Sequence, residues 1–182
     1  MISGITMMNT EHRNLSFSLR PVQPDDEAFL YALYGSTRAE EMAAWNWSEA
    51  QQEAFLRLQF SAWQQQFRQQ SALSDDRIIL IGEQPGGRII VIRTELEIRL
   101  AEIALLPEHR RRGIGSALIE ELQREAQTAR KPLRLHVLAS NEAVRWYERL
   151  GFVRCGGNGV YLLMEWLPKT DAEAESEMTD DR

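Results

Sequence analysis

The alternation of apolar and polar residues predicts a chain that combines strands with amphipathic helices. Phe17, Leu19 and Val22 alternate with polar neighbours, a period typical of a half-buried strand. Next, a stripe of apolar residues predicts a helix that Asp25 caps and Gly35 ends. The chain therefore begins with a strand followed by a helix.

Two capping patterns predict further helices before residue 70. Thr37 with Glu40 predicts the start of a short helix. Ser48 with Gln51 predicts the start of a long helix that ends near Gln70. Apolar and aromatic residues spaced three or four apart mark the buried side of this long helix.

From residue 77 onward the pattern takes the period of strands. RIILIG and RIIVIRT predict a hairpin whose turn is EQPGG. The later elements are a strand RLAEIALLP, a helix to about residue 130, a strand LRLHVLA, a helix from residue 141, and an antiparallel pair FVRC and VYLLMEWL. This order predicts a mixed α/β (α+β) fold. Its central sheet is mostly antiparallel, has six to seven strands and carries helices on both faces.

Length and composition predict one globular domain with loose ends. A chain of 182 residues, 43% of them hydrophobic, is long enough to bury a core. No stretch is long and apolar enough to cross a bilayer, and the first residues lack the features of a secretory signal. We expect a flexible segment over residues 1–14, a single domain over 15–168 and an acidic disordered tail over 169–182.

Charge and cysteine content narrow the class of partner. The net charge is −6, and the tail, with six acidic and two basic residues, carries −4 of it. Without the tail, the domain is close to neutral. This argues against a nucleic-acid partner, because such a partner requires a broad basic surface. Cys155 is the only cysteine, so an internal disulfide is excluded and a zinc cluster is disfavoured. We expect Cys155 to be a small buried residue and the protein to be cytoplasmic, with no membrane partner.

The segment HRRRGIGSALIEEL, residues 109–122, predicts a glycine-bearing turn at the start of a helix. Apolar residues recur every four positions from Ile114, as on one face of a helix. The first turn of a helix has unpaired N–H groups and the positive end of the helix dipole. Because Gly113 and Gly115 lack a Cβ, a phosphate can approach these groups, and a pyrophosphate is the expected ligand.

The turn allows three other interpretations. A phosphate loop would end in Gly-Lys-Ser/Thr, whereas Gly115 is followed by Ser116 and Ala117. A dinucleotide fingerprint needs a third glycine, whose place Leu118 takes. The third interpretation is a solvated basic turn with a glycine that eases entry into the helix.

A second motif farther along the chain supports the pyrophosphate interpretation. After the R-x-x-G-x-G pattern come the strand LRLHVLA, then Asn141, then AVRWYERLGF. Together the two segments resemble the pyrophosphate-binding and "N…A…Y-E-x-L-G-F" motifs of the GNAT superfamily of acyl-CoA-dependent N-acyltransferases. The resemblance covers roughly Arg20 to Trp166.

The resemblance implies a GNAT-like sheet that splays between the strand before the glycine turn and LRLHVLA, with the pantetheine arm of acetyl-CoA in the gap. No metal is implied. The cofactor-binding residues that it implies are Ile103, Ala104, Leu105, Arg110, Arg111, Arg112, Gly113, Ile114, Gly115, Ser116 and Asn141. Asn141 is also a good N-cap, so it bonds the cofactor arm, its own helix, or both.

Acyl transfer to an amine requires a base for the amine, a polarised thioester carbonyl and a proton for the departing thiolate. The resemblance places the thiolate-protonating acid at Tyr147, whose phenol, with an ordinary pKa of about 10, is protonated at rest. The alternative role for Tyr147 is to pack its helix onto the sheet.

Two residues are candidates for the base. In several relatives a glutamate at the strand position matching His136 has this role, and a histidine has a pKa near neutrality. The alternative is a hydrogen-bonded, partly buried histidine. Glu102, on the strand before the glycine turn, is the rival base.

These features predict an N-acetyltransferase that transfers an acetyl group from acetyl-CoA to a primary amine of a small molecule or peptide, directly in a ternary complex. The alternative is a non-catalytic CoA-binding sensor or partner module with the same fold. Trp45, Trp47, Trp63 and Phe67 form either an aromatic wall of the acceptor pocket or part of the core. The final hairpin and exposed aromatic residues are compatible with a homodimer.

Overall fold

The structure, a computed structural model, describes residues 16–69 and 73–169. The predicted flexible segment over residues 1–14 and nearly all of the predicted acidic tail lie outside these residues. Contacts divide the chain into two compact units. The first comprises the chain up to residue 92 and residues 101–115, and the second comprises residues 93–100 and the chain from residue 116.

The described residues form a seven-stranded sheet. In chain order the strands are β1 (Phe17–Pro21), β2 (Ser74–Ile81), β3 (Gln84–Arg93), β4 (Ile98–Leu105), β5 (Leu133–Leu138), β6 (Val153–Gly157) and β7 (Tyr161–Trp166). The helices are α1 (Glu27–Ala43), α2 (Glu49–Gln69), α3 (Ile114–Ala129) and α4 (Ala143–Arg149). The strand order is β1-β2-β3-β4-β5-β7-β6, in which β4 and β5 run parallel. The predicted α/β fold with a mixed, mostly antiparallel sheet is confirmed.

In the first unit, β2 pairs antiparallel with both β1 and β3. The apolar stripes of α1 and α2 meet in a core in which Leu30, Tyr34 and Phe60 are buried with Ile78 of β2. The aromatic rings of α1 and α2 contact one another at centroid distances of 5.4–5.7 Å; they belong to Tyr31, Tyr34, Phe60 and Trp63. Burial of these aromatic side chains is the main force that holds the two helices against the strand.

In the second unit, β5 pairs in parallel with the first three residues of β4 and antiparallel with β7, which also pairs with β6. The inward side of β5 is fully apolar, with Leu133, Leu135 and Val137 buried, and Met164 of β7 is buried as well. Helix α3 buries an apolar face that includes Ile114, Leu118 and Leu122. Alternation along β5 therefore predicts its faces correctly.

Two predicted boundaries in the first unit are wrong. Helix α1 does not end at Gly35 but continues to Ala43, because an internal glycine costs a helix only about 1 kcal/mol. A Cβ at Gly35 would lie 3.2 Å from Leu56, so this glycine serves close packing of α1 on α2. Thr37, predicted to cap a new helix, lies inside α1, and its hydroxyl donates to the carbonyl of Tyr34 (2.7 Å).

The predicted capping box of α2 is confirmed. The N–H of Ser48 donates to Oε1 of Gln51 (2.9 Å), and the N–H of Gln51 approaches Oγ of Ser48 (3.4 Å). The pair satisfies N–H groups at the start of the helix that have no partner within it. The local signal at this site thus determines where α2 begins.

The predicted hairpin turn EQPGG is wrong in extent. The turn comprises Gly82 and Glu83 alone, and the Pro-Gly-Gly stretch belongs to β3. A Cβ at Gly87 would lie 2.4 Å from the carbonyl oxygen of Ala104. This glycine therefore permits close approach of the β4 backbone instead of forming a turn. Cys155, predicted to be buried, is exposed on β6.

No helix within residues 16–69 and 73–169 is long and apolar enough to cross a membrane.

Candidate functional site

The glycine turn has the backbone conformation that an anion site at a helix start needs. Helix α3 begins at Ile114, and Gly113 directly before it has a φ of 84°. Arg111 also has a positive φ, 59°, which is uncommon for a residue with a side chain. Both residues are exposed, as is Arg112. The turn thus presents a strained, accessible backbone next to the helix N terminus, where phosphates bind.

Arg110 differs from Arg111 and Arg112 because, among the described residues, its side chain is hydrogen-bonded within the first unit. Its Nε donates to the carbonyl oxygen of Leu105 at the end of β4 (2.9 Å). Its Nη2 lies 3.4 Å from the carbonyl oxygen of Ser36 on α1. These contacts connect the turn to β4 and α1. Among the three predicted basic residues, Arg111 and Arg112 are therefore better placed than Arg110 to meet a phosphate.

Ile103, Ala104 and Leu105, the predicted pantetheine-binding residues, form the last part of β4. Ala104 is buried, and the other two are half-buried. The carbonyl oxygen of Leu105 already accepts a hydrogen bond from Arg110. Pairing with a pantetheine arm stays a prediction for this stretch.

In the second unit, the first turn of α3 is connected to α4 by a side-chain hydrogen bond. Nε1 of Trp146 donates to Oγ of Ser116 (3.2 Å). Ser116 was predicted from its motif, whereas sequence reasoning missed Trp146. The signal was its place beside Tyr147 in the WYERLGF motif. Gly115, one residue earlier, is half-buried within the first turn of the helix.

Asn141 bonds its own helix in the structure. Its Oδ1 accepts a hydrogen bond from the N–H of Ala143 (2.8 Å), and its carbonyl oxygen accepts one from the N–H of Val144 (3.1 Å). One of the two predicted roles, capping α4, is therefore present. Contact with a cofactor arm stays a prediction.

Tyr147 lies on the buried side of α4, 7% exposed. Its ring contacts Trp146 and Phe152, with centroids 4.7 and 5.6 Å away. Burial raises the pKa of the phenol above its usual value, so the hydroxyl stays protonated at neutral pH. Tyr147 packs its helix, as one interpretation holds, and it has the protonation state that an acid requires.

His136 lies on the exposed side of β5, opposite the buried Leu135 and Val137. Alternation predicted this face correctly. The alternative of a partly buried histidine is wrong, because the side chain is exposed.

Glu102 of β4 is a carboxylate in an unusual environment. Its side chain is 21% exposed, yet its Oε2 is buried and accepts no hydrogen bond from the described residues. Burial raises the pKa of this carboxyl to about 7. The positive charges of Arg88 and Arg38 oppose the rise, and the negative charge of Asp76 adds to it. A carboxylate with a pKa near neutrality can both accept and release a proton under physiological conditions.

Sequence reasoning missed two charged residues that act on Glu102. Arg88 of β3 is 4% exposed and places its Nη1 3.8 Å from Oε2 of Glu102. Asp76 of β2 forms an ion pair with Arg88. The signal was a charged residue at the end of the apolar run in each of these two strands. Charged residues inside strands are seldom buried without a partner, so the two charges indicated an ion pair.

The predicted aromatic residues divide into two groups. The Trp63 ring packs on Arg88 and Tyr34. Trp45 and Trp47 instead form a cluster with Phe55, beside a cavity of about 100 Å³. The side chain of Phe67 lies outside the described residues. The cavity is lined by Tyr34, Arg38, Met42, Trp45, Phe55, Leu56 and Gln59.

A family model matches part of the chain. Residues 72–154 match the family model described as an acetyltransferase (GNAT) domain. The predicted resemblance to the GNAT superfamily is confirmed over this stretch. The match includes the glycine turn, Glu102 and Tyr147. The predicted enzyme class, an acyl-CoA-dependent N-acetyltransferase, is thereby confirmed at the level of the family, and acetyl-CoA as acyl donor agrees with it.

Solved structures share the fold of this protein. One is the PaiA N-acetyltransferase from Thermoplasma acidophilum in complex with coenzyme A, with a TM-score of 0.63, 21% identity and coverage of 84% of this chain and 99% of that one. Another is an acetyltransferase from Thermus thermophilus, with a TM-score of 0.61, 18% identity and coverage of 83% and 96%. A third is the ribosomal-protein-S18-alanine N-acetyltransferase from Escherichia coli, with a TM-score of 0.57, 22% identity and coverage of 85% and 96%. A search of curated protein sequences finds no match. Identities this low establish the fold and leave the acceptor open.

Within the part of the chain that the structure describes, no group of three His, Cys, Asp or Glu residues is placed to hold a metal ion.

Proposed function

We propose that this GNAT protein transfers an acetyl group from acetyl-CoA to a primary amine of a small molecule or peptide, directly within a ternary complex. The observation that carries the proposal is Glu102, a mostly buried carboxylate on the strand that leads to the glycine turn. Its pKa of about 7 and the unbonded Oε2 suit it to accept the proton of an amine. In its proposed cytoplasmic location, the pH is close to this value.

Proton transfers define the roles of the two catalytic candidates. An alkylamine, with a pKa of about 10, arrives protonated and must lose a proton before its nitrogen can attack the thioester carbon. Glu102 takes this proton, directly or through water. When the tetrahedral intermediate collapses, the C–S bond breaks and the phenol of Tyr147 gives its proton to the thiolate. His136 is the second candidate for the base, and its exposure favours a lesser role.

The glycine turn supplies the proposed site for the cofactor. Gly113, Ile114, Gly115 and Ser116 would present backbone N–H groups to the pyrophosphate, with Arg111 and Arg112 adding positive charge. The end of β4 would pair with the pantetheine arm, and backbone N–H groups there would polarise the thioester carbonyl. The complex of PaiA with coenzyme A, which shares the fold, supports this placement.

Calorimetric titration with acetyl-CoA tests the cofactor site. Wild-type protein should bind, and Gly113→Glu should abolish binding, because it adds a side chain and a negative charge to a residue with positive φ. Gly82→Glu is the matched control, since Gly82 also has a positive φ and its Cβ would meet nothing within 4 Å. Absence of binding to folded wild-type protein would contradict the proposal.

Turnover of a panel of primary amines with acetyl-CoA tests the catalytic role. Tyr147→Phe should lose turnover and keep acetyl-CoA binding, because it removes only the hydroxyl from a buried ring. Unchanged turnover would remove the acid role from Tyr147. Acetyl-CoA binding without turnover of any amine would favour the non-catalytic CoA-binding module.

We also propose a homodimer, on the exposed apolar residues of the last hairpin. Val153, Val160 and Tyr161 are 57%, 60% and 46% exposed. Analytical ultracentrifugation tests this, and a monomer at micromolar concentration would contradict it.

A further inference from the structure

Three neighbouring strands of the first unit place two carboxylates on either side of one arginine. Arg88 lies on β3, between Asp76 on β2 and Glu102 on β4 in the strand order. Arg88 is the register partner of Ile78, and Asp76 lies two residues before Ile78. Asp76 and Arg88 therefore share one face of the sheet as diagonal neighbours.

Arg88 uses two of its donors on Asp76. Its Nε donates to Oδ1 (2.7 Å) and its Nη2 donates to Oδ2 (2.5 Å). This two-point geometry fixes the plane of the guanidinium as well as its position. The indole of Trp63 covers the same group, with Cζ 4.2 Å from the ring centroid. A guanidinium group that is hydrogen-bonded at its edge and stacked on its face has little freedom to rotate.

Glu102 stands on the other side of this fixed guanidinium without a hydrogen bond to it. The distance from Nη1 of Arg88 to Oε2 of Glu102 is 3.8 Å, which is too long for a hydrogen bond but short enough for strong charge–charge attraction. Oε2 is buried and accepts no hydrogen bond from the residues that the structure describes. This oxygen is therefore available to a proton.

We propose that Arg88 is a positioning residue for Glu102: Asp76 and Trp63 hold its guanidinium at a distance from which its charge orients the Glu102 carboxylate while its hydrogen bonds go to Asp76. This role rests on the proposed function of Glu102 as the base. If Arg88 bonded Glu102 directly, the carboxylate would stay ionised and make a weak base. Asp76 takes the Nε and Nη2 donors of Arg88 and so fixes Nη1 at 3.8 Å from Oε2 of Glu102.

The charges around Glu102 come from three elements. Arg88 on β3 and Arg38 on α1 favour the ionised carboxylate, and Asp76 on β2 disfavours it. Removing Arg88 and removing the charge of Asp76 should therefore change the protonation of Glu102 in opposite directions. If the Asp76–Arg88 pair served stability alone, the two substitutions would not change the protonation of Glu102 in opposite directions.

The test is a direct titration of Glu102 by NMR of protein labelled with ¹³C at the glutamate carboxyl, between about pH 4 and pH 9. The Glu102 signal is assigned from its absence in Glu102→Gln. The midpoint should rise in Arg88→Met by at least about one pH unit, the lower end of the effect of an opposite charge at this distance, and it should fall in Asp76→Asn. Asp75→Asn, which changes the neighbouring ion pair with Arg77, is the matched control and should leave the midpoint unchanged.

The titration needs neither cofactor nor acceptor, so it separates this inference from the proposed activity. A wild-type midpoint near the ordinary value of about 4.3 would overturn it, as would shifts of both variants in one direction. If Arg88→Met does not fold, Arg88→Lys replaces it, because lysine keeps the charge but loses the two-point bond to Asp76. Its midpoint should then differ from that of the wild type, and an unchanged midpoint in both Arg88→Lys and Asp76→Asn would overturn the inference.

Discussion

Two arginines in this protein each lie between two carboxylates, with opposite results. Arg134 of β5 donates to both of its neighbours, from Nη1 to Oε2 of Glu97 (2.9 Å) and from Nε to Oε2 of Glu165 (2.6 Å). Arg88 of β3 gives its two-point bond to Asp76 and only approaches Glu102, at 3.8 Å. The side chain of Arg134 is 36% exposed, and that of Arg88 is 4% exposed.

The protonation of the carboxylates follows the hydrogen bonds. Burial acts to raise the pKa of Glu97, but hydrogen bonds from Arg134 and Arg99 outweigh it and hold the pKa below its usual value. Burial raises the pKa of Glu102 to about 7, and the attraction of Arg88 only partly offsets this. A nearby arginine is therefore not sufficient to keep a buried carboxylate ionised. Hydrogen bonds to the carboxylate decide the result.

The largest difference between the two clusters should appear in catalysis. Glu102→Gln removes the proposed base and should lower turnover of an accepted amine by about 10²- to 10⁴-fold, the usual contribution of a general base. Glu97→Gln removes a carboxylate whose arginine partners keep it ionised, so turnover should stay within a factor of a few. Both variants should retain acetyl-CoA binding. Equal turnover of Glu102→Gln and wild type would remove the base role.

The next difference concerns the pH dependence of stability. The pKa of Glu102 is higher in the folded protein, about 7, than in the unfolded chain, so its contribution to stability is complete below about pH 4.5 and is lost as the pH rises to 7. Glu97, whose pKa is lowered, contributes above its unfolded pKa, and this contribution is lost on acidification.

Urea unfolding near pH 4.5 and near pH 7.5 measures the contribution of Glu102, and unfolding near pH 3 and near pH 4.5 measures that of Glu97. Relative to wild type, Glu102→Gln should gain about 2–3 kcal/mol of unfolding free energy between about pH 4.5 and pH 7.5, because glutamine cannot ionise. Glu97→Gln should change in the other direction, losing unfolding free energy relative to wild type as the pH rises from about 3 to about 4.5. The same sign for both variants would contradict the contrast between the clusters.

The smallest effect is expected at the more exposed arginine. Arg134→Met leaves Glu97 with Arg99 as its remaining arginine and should lower the free energy of unfolding by about 1 kcal/mol, the upper value for a partly exposed ion pair. Arg57→Met, at an exposed helical pair with Glu53, is the control and should leave stability unchanged. If Arg134→Met instead lowered the free energy of unfolding by as much as is expected for breaking a fully buried ion pair, the difference in exposure would not distinguish the two clusters.

The sequence alone was sufficient to predict an element where the residues that determine it lie close together in the chain. The strand, glycine turn and helix at residues 99–130 were predictable because apolar period and glycine spacing are read directly from the chain. The same holds for the start of α2, since Ser48 and Gln51 bond each other. The face of β5 that presents His136 followed from alternation.

The tertiary structure decided what depends on residues distant in the chain. Helix α1 continues through Gly35 because α2 packs against it at Leu56, a contact that no local pattern contains. Glu102 was one base candidate among others until the strand order brought Asp76 and Arg88 beside it. Burial and the direction of a hydrogen bond are set by neighbours in space, and for this reason the protonation of Glu102 follows from the fold and not from its place in the sequence.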